Sequence, residues 1–154
     1  SNVLTRVHSE CLTGDVFSSQ RCDCGDQLQL AQSLIFQAEE GVIIYLRGQE
    51  GRGIGITNKI LAYDLQDNGL DTVEANLELK LPVDSRSYEA AAEILKKLKV
   101  TSIRLLTNNP DKVSSLLSNK ILIDEIRPLE TEINASNQSY LNTKKLKLGH
   151  TLSL

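Results

Sequence analysis

Val42-Ile43-Ile44-Tyr45-Leu46 is a continuous apolar run of strand length, and its neighbours on either side decide how the whole chain reads. An apolar run without alternation belongs to a strand buried on both faces, which requires helices above and below the sheet. On its N-terminal side, Leu28, Ala31, Leu34, Ile35 and Ala38 recur at helical spacing, with Gly41 placed to cap that helix. On its C-terminal side a glycine-rich turn leads into a second helical pattern, Ile60, Leu61 and Leu65, stopped by Asn68-Gly69. Working outward, Val3 to His8, Ile103 to Leu106 and Ile121 to Ile126 read as further strands. Tyr88, Ala91, Ile94, Leu95 and Leu98 mark a helix, Asn109-Pro110 opens another, and Tyr140 to Leu148 suggests a short one before Gly149. Strands alternating with helices define a single α/β domain, expected as a mixed β-sheet with flanking helices.

The composition bounds the partners. A chain of 154 residues that is 40% hydrophobic can build one real core. Its 17 basic and 20 acidic residues leave a net charge of −3, which argues against a broad nucleic-acid surface or an acidic membrane as partner. Any anionic ligand must be bound locally. No apolar run is long enough to span a bilayer, and free thiols point to the cytoplasm or another reducing compartment. The chain has no methionine and opens on Ser1-Asn2, so a trimmed start and a missing N-terminal segment are expected.

Cys11, Cys22 and Cys24 are all the cysteine present. An odd number in this layout does not close as disulfides, and buried free thiols are the simplest alternative. The surrounding Gly14, Asp15, Ser18, Ser19, Arg21, Asp23 and Gly25 make a poor hiding place for core cysteines. Three thiolates on a tetrahedral ion leave one position open, the arrangement of catalytic zinc. A closed site with His8 as fourth ligand is the other possibility. If residues 4 to 11 form a strand, however, His8 and Cys11 point to opposite faces, which favours the open site.

Three loops could carry chemistry. Arg47-Gly48-Gln49-Glu50-Gly51-Arg52-Gly53-Ile54-Gly55 lies between a strand and a helix, where backbone N–H groups can hold phosphates, although it matches neither a Walker A loop nor a dinucleotide fingerprint. Taken alone it reads as an ordinary turn, and Arg47 and Arg52 strengthen the case for an anion. Val83-Asp84-Ser85-Arg86 reads first as a helix-capping segment. Thr107-Asn108-Asn109-Pro110-Asp111-Lys112 suits an anion or a plain helix entrance, and Tyr63 in a helical pattern suits a core.

Taken together and in this order, these pieces resemble the GTP cyclohydrolase II family of riboflavin biosynthesis. The resemblance rests on Arg6-Val7-His8-Ser9-Glu10-Cys11-Leu12-Thr13-Gly14-Asp15, Arg21-Cys22-Asp23-Cys24-Gly25, Gln49-Glu50-Gly51-Arg52, Asp71-Thr72-Val73-Glu74-Ala75-Asn76 and Leu105-Leu106-Thr107-Asn108-Asn109-Pro110. It covers nearly the whole chain. It implies one catalytic domain over residues 1–154 that lacks the family's N-terminal segment.

The resemblance implies that Cys11, Cys22 and Cys24 bind zinc, that Asp84 is the proton acceptor, Arg86 the nucleophile toward the α-phosphate and Tyr63 an active-site tyrosine. It further implies GTP contacts at Arg6, Val7, His8, Ser9, Glu10, Gln27, Glu50, Gly51, Arg52, Thr72, Thr107 and Lys112, with magnesium on the phosphates, and a homodimer. The implied reaction converts GTP and water into formate, pyrophosphate and a diamino-ribosylamino-pyrimidinone phosphate. Because a guanidinium stays protonated well above neutrality, Arg86 is read first as an α-phosphate group and only second as a covalent nucleophile. Two other readings are a non-catalytic guanine-nucleotide module with a zinc, and a relative that stops at the formylated pyrimidine.

Overall fold

Each apolar run becomes a strand: β1 (Val3–Ser9), β2 (Gly41–Leu46), β3 (Ser102–Leu106) and β4 (Leu122–Arg127) pair into one sheet of order β2-β1-β3-β4. The structure is a computed structural model and describes residues 1–134 and 136–152. All the pairings are parallel, where a mixed sheet was expected. Helices supply the reason, because each passes the chain back to the sheet edge where the previous strand began. Between β1 and β2 lie α1 (Leu12–Asp15) and α2 (Cys24–Phe36). Between β2 and β3 lie α3 (Glu50–Gly53), α4 (Gly55–Asp67), α5 (Thr72–Glu78) and α6 (Glu89–Lys97). The helix α7 (Pro110–Ser118) joins β3 to β4, and α8 (Gln138–Leu148) follows the sheet.

The core has two layers, one on each face of the sheet. Val7, Ile44, Ile103 and Leu105 pack against Ala91, Ala92 and Leu95 of α6 and Leu116 of α7. On the opposite face Leu4, Leu106 and Leu129 pack around Ala31 of α2. The central strand β1 is therefore buried on both sides, and alternation sends Arg6 and His8 to the face that carries Leu4. These polar side chains, 4% and 1% exposed, must find partners inside the protein.

The boundaries follow local chemistry. Asn109 caps α7 by accepting from Asp111 N at 2.9 Å, with Pro110 in the first turn. Gly41 is the first residue of β2 and not a helix cap, since α2 ends at Phe36 with Gln37 as its cap. A Cβ at Gly41 would lie 2.7 Å from Ile35 Cγ2, so the glycine lets α2 press onto the strand. The capping box of Asp71 and Glu74 starts α5, a helix absent from the periodicity reading.

Candidate active site

In the order β2-β1-β3-β4 the chain leaves β1 toward one side of the sheet and β3 toward the other. The loops after these strands diverge, and a crevice opens at their C-terminal ends. Ser9 at the end of β1 and Glu10 beyond it, Gln49, Gly51 and Arg52 after β2, and Thr107 to Asn109 after β3 form its rim. Two lobes with about 600 and 520 Å³ of empty space share Ser9, Cys24, Arg52, Arg86 and Tyr140 as walls.

The first lobe contains the thiols. The sulfurs of Cys11, Cys22 and Cys24 all lie within 4.8 Å of one another, and Cys11 Sγ and Cys22 Sγ are 3.7 Å apart. Two sulfurs on a tetrahedral ion with bonds of about 2.3 Å would stand about 3.8 Å apart. The donor set and spacing therefore fit a metal ion. Gly14 lies against the cluster, where a Cβ would come 3.0 Å from Cys22 Sγ and 3.3 Å from Cys11 Sγ. A Cβ on Gly25 would in turn strike Gly14 O at 2.3 Å, so two glycines let the cysteine-bearing segments close on each other. Lys59 of α4 places its ammonium 3.1 Å from Cys11 Sγ, 2.6 Å from Glu50 Oε1 and 2.7 Å from Thr13 Oγ1. Contact with the other two thiols, then Lys59, holds Cys11 far below the ordinary thiol value. The Cys11 contact, together with burial, pushes Cys22 up to about 11 against the pull of Cys24, and contact with Cys11 and Cys22, together with burial, raises Cys24.

His8 is not part of the thiol cluster. Its Nε2 lies 3.0 Å from Asp15 Oδ1, and Asp15 Oδ2 accepts from Cys11 N at 2.9 Å and from Tyr45 OH at 2.7 Å. Burial lowers the His8 pKa despite Asp15. Strand alternation is only part of the reason for the separation, since β1 ends at Ser9 and Cys11 lies beyond it, capping α1. On the same face Arg6 donates to Gln27 Oε1 at 2.7 Å and to Leu106 O at 3.0 Å, and Gln27 donates to Asp23 Oδ2 at 2.6 Å. A buried chain of polar groups thus runs from the Cys11 backbone to the residue between Cys22 and Cys24.

The second lobe is cationic. Arg6, Arg52, Arg86, Lys112 and Lys144 line it, with no carboxylate in its wall among the described residues. Asp84 holds Arg86 Nε at 2.9 and 3.1 Å, and Asp23 holds Lys144 at 2.6 Å. No carboxylate pairs with Arg6, Arg52 or Lys112 among the described residues. Both terminal nitrogens of Arg52 are buried without a hydrogen-bond partner among the described residues. Its backbone adopts φ 64, in the left-handed region next to Gly51 at φ 59. A non-glycine residue in that conformation is strained, and such strain collects at ligand sites. Burial, then the nearby Arg6, Arg86 and Lys144, lowers Lys112 well below its ordinary value. Burial alone brings Arg6 down to about 10. An anion in this lobe would relieve all of these groups.

Most residues expected at the site from sequence converge on the crevice. Ser9, Glu10, Gly51, Arg52, Tyr63, Thr72 and Arg86 line the thiol lobe, and Arg6, His8, Gln27, Thr107 and Lys112 the cationic one. Val7 points its side chain into the core and offers only its carbonyl, which accepts from Lys112 Nζ at 2.8 Å. Glu50 stands behind the wall, occupied by Lys59 and by Leu12 N at 2.5 Å. Asp84 likewise backs Arg86, whose grip outweighs burial and lowers the carboxyl pKa. Sequence reasoning missed Lys59, Tyr140, Lys144 and His150. The last three come from α8 and its exit, beyond every motif considered.

Fold and site together define an α/β protein with a thiol cluster able to hold a metal ion beside a cationic pocket. The chain belongs to the GTP cyclohydrolase II family, whose model matches residues 1–128. It is 56% identical over 151 residues to GTP cyclohydrolase-2 of Archaeoglobus fulgidus, covering 98% of this chain and 40% of that protein. Riboflavin biosynthesis protein RibBA of Rhodococcus erythropolis is 54% identical over 152 residues, 99% of this chain and 36% of its own. Probable bifunctional riboflavin biosynthesis protein RIBA 2, chloroplastic, of Oryza sativa subsp. japonica is 56% identical over 152 residues, 99% of this chain and 28% of its own. The chain thus spans between 28% and 40% of the length of these relatives.

Proposed function

We propose that residues 1–154 form the catalytic domain of a GTP cyclohydrolase II, which hydrolyses GTP to formate, pyrophosphate and the 2,5-diamino-6-ribosylamino-pyrimidinone 5′-phosphate. The observation that carries this reading is the continuity of a three-thiol cluster with a cationic lobe through a shared wall. That arrangement suits a purine at the sulfurs and a triphosphate among the arginines. Cys11, Cys22 and Cys24 would hold zinc, which supplies Lewis-acid activation of water at neutral pH. Magnesium would accompany the phosphates.

The chain's own residues have distinct tasks. Arg52, Arg6 and Lys112 take phosphate oxygens, each without a carboxylate among the described residues that would have to be displaced. Arg86 is locked by Asp84, which raises the guanidinium pKa despite burial, so Arg86 stabilises charge at the α-phosphate as a cation. Asp84 stays ionised and can take a proton there. Tyr63 keeps its phenol protonated through burial and can donate to the reacting purine. We assign the protein to the cytoplasm, as a homodimer.

Incubation with GTP and magnesium, with formate and pyrophosphate assayed separately and the organic product weighed by mass spectrometry, tests the reading. Formate should vanish in Cys24→Ser while pyrophosphate release persists at a reduced rate. A formylated pyrimidine as end product would favour the shortened reaction, and bound but unaltered GTP the non-catalytic module.

A further inference from the structure

Two amide side chains in the thiol lobe have no role in the account so far. Gln49 donates its Nε2 to Ser87 O at 2.7 Å, and Asn76 donates its Nδ2 to Pro82 O at 3.3 Å. These bonds fix which end of each amide is nitrogen, because only the NH₂ end can face a carbonyl. The opposite ends, Gln49 Oε1 and Asn76 Oδ1, are buried and have no hydrogen-bond partner among the described residues. The residues are 9% and 2% exposed, and both line the crevice beside the cysteines. Their anchors belong to one short segment, Pro82 to Ser87, which also carries Asp84 and Arg86. Two desolvated acceptors held in place by their own amide nitrogens amount to a built receptor for hydrogen-bond donors, since leaving either one unpaired costs free energy.

We propose that Gln49 and Asn76 determine base specificity by accepting hydrogen bonds from the ring N–H and the exocyclic amine of a guanine. This rests on the reading of the crevice as a GTP site and goes beyond it in naming the groups that choose the base. Guanine presents N1–H and the 2-amino group side by side, two donors for two acceptors. Adenine presents a bare ring nitrogen and a C–H at the same positions, which would leave both oxygens buried and unpaired. Glu50, the acidic residue nearest in sequence, is unavailable for this task because its carboxylate serves Lys59 and Leu12 N. Inosine separates the two contacts, having the ring N–H without the amine.

The test compares GTP, inosine triphosphate and ATP as substrates, and GMP, IMP and AMP as ligands in calorimetry, for the parent and for Gln49→Met and Asn76→Leu. Both substitutions keep side-chain size and remove the acceptor. In the parent, each lost donor should weaken kcat/KM by about tenfold or more, giving the order GTP, inosine triphosphate, ATP. Each folded variant should lose at least about tenfold of its preference for GTP over ATP, chiefly through KM. At least one should also lose the distinction between GTP and inosine triphosphate. Zinc content and circular dichroism report whether the variants are intact. Unchanged base preference in intact variants overturns the proposal while leaving the GTP reading in place. Should both variants fail to fold, the parent alone decides, since equal affinity for GMP and AMP overturns it. A parent that binds no purine nucleotide overturns both.

Discussion

Lys144 Nζ and Asp23 Oδ1 lie 2.6 Å apart in the interior although 121 residues separate them in sequence. Asp23 sits between Cys22 and Cys24, so this ion pair fastens the C-terminal helix to the thiol cluster. Replacing Lys144 with Met should destabilise the protein by about 3 kcal/mol, because it strands a buried carboxylate. Asp23→Asn in the same chain should recover much of the loss. Urea denaturation of the parent and the variants checks both statements.

Arg52 combines a left-handed backbone, φ 64, with terminal guanidinium nitrogens that have no hydrogen-bond partner among the described residues. Arg52→Gly removes the backbone strain and the orphaned donors together, and should raise stability by about 1 kcal/mol. The same change should weaken GTP binding at least about tenfold, since a charged hydrogen bond to phosphate is lost. Thermal denaturation and nucleotide titration should move in opposite directions.

Lys59→Met should lower zinc affinity by about 10- to 100-fold, the usual cost of removing a hydrogen-bond partner of a ligand. The ammonium lies 3.1 Å from Cys11 Sγ. Competition with a chromogenic chelator measures the change. Lys59→Arg, which keeps the charge, should lose less.

His150 is held neutral, its pKa lowered to about 3 by burial first and then by Lys144, Arg86 and Arg52, against a small opposite pull from Asp23. Unfolding restores its ordinary value of 6.5, so between that value and about 3 the unfolded chain binds a proton that the native one does not. Stability is therefore lost as pH falls through this window. In His150→Gln the drop in urea midpoint between about pH 7 and about pH 5 should be shallower than in the parent.

The strands and the cysteine cluster were legible because each leaves a local mark: an unbroken apolar run in β2, or three thiols in a polar, glycine-bearing segment. Parallel pairing left no such mark, since it depends on where the helices return the chain. Gly41 was misread because a close approach to Ile35 and a helix cap call for the same residue. The start of α5 was readable in Asp71-x-x-Glu74, a capping box without much apolar periodicity behind it. Lys59 and Lys144 could not be found this way, since a lysine in a helical pattern reads as solvated face and only tertiary packing buried these two.

Parallel strands give the domain two unlike ends. Asn2 N donates to Ser102 Oγ at the beginning of β3, at the edge of the sheet away from the crevice. Thr151 N donates to Asn108 O on the rim of the cationic lobe. A second domain or an affinity tag joined ahead of Ser1 would therefore emerge at the end of the sheet opposite the crevice. The same addition just after Thr151 would begin beside the cationic lobe.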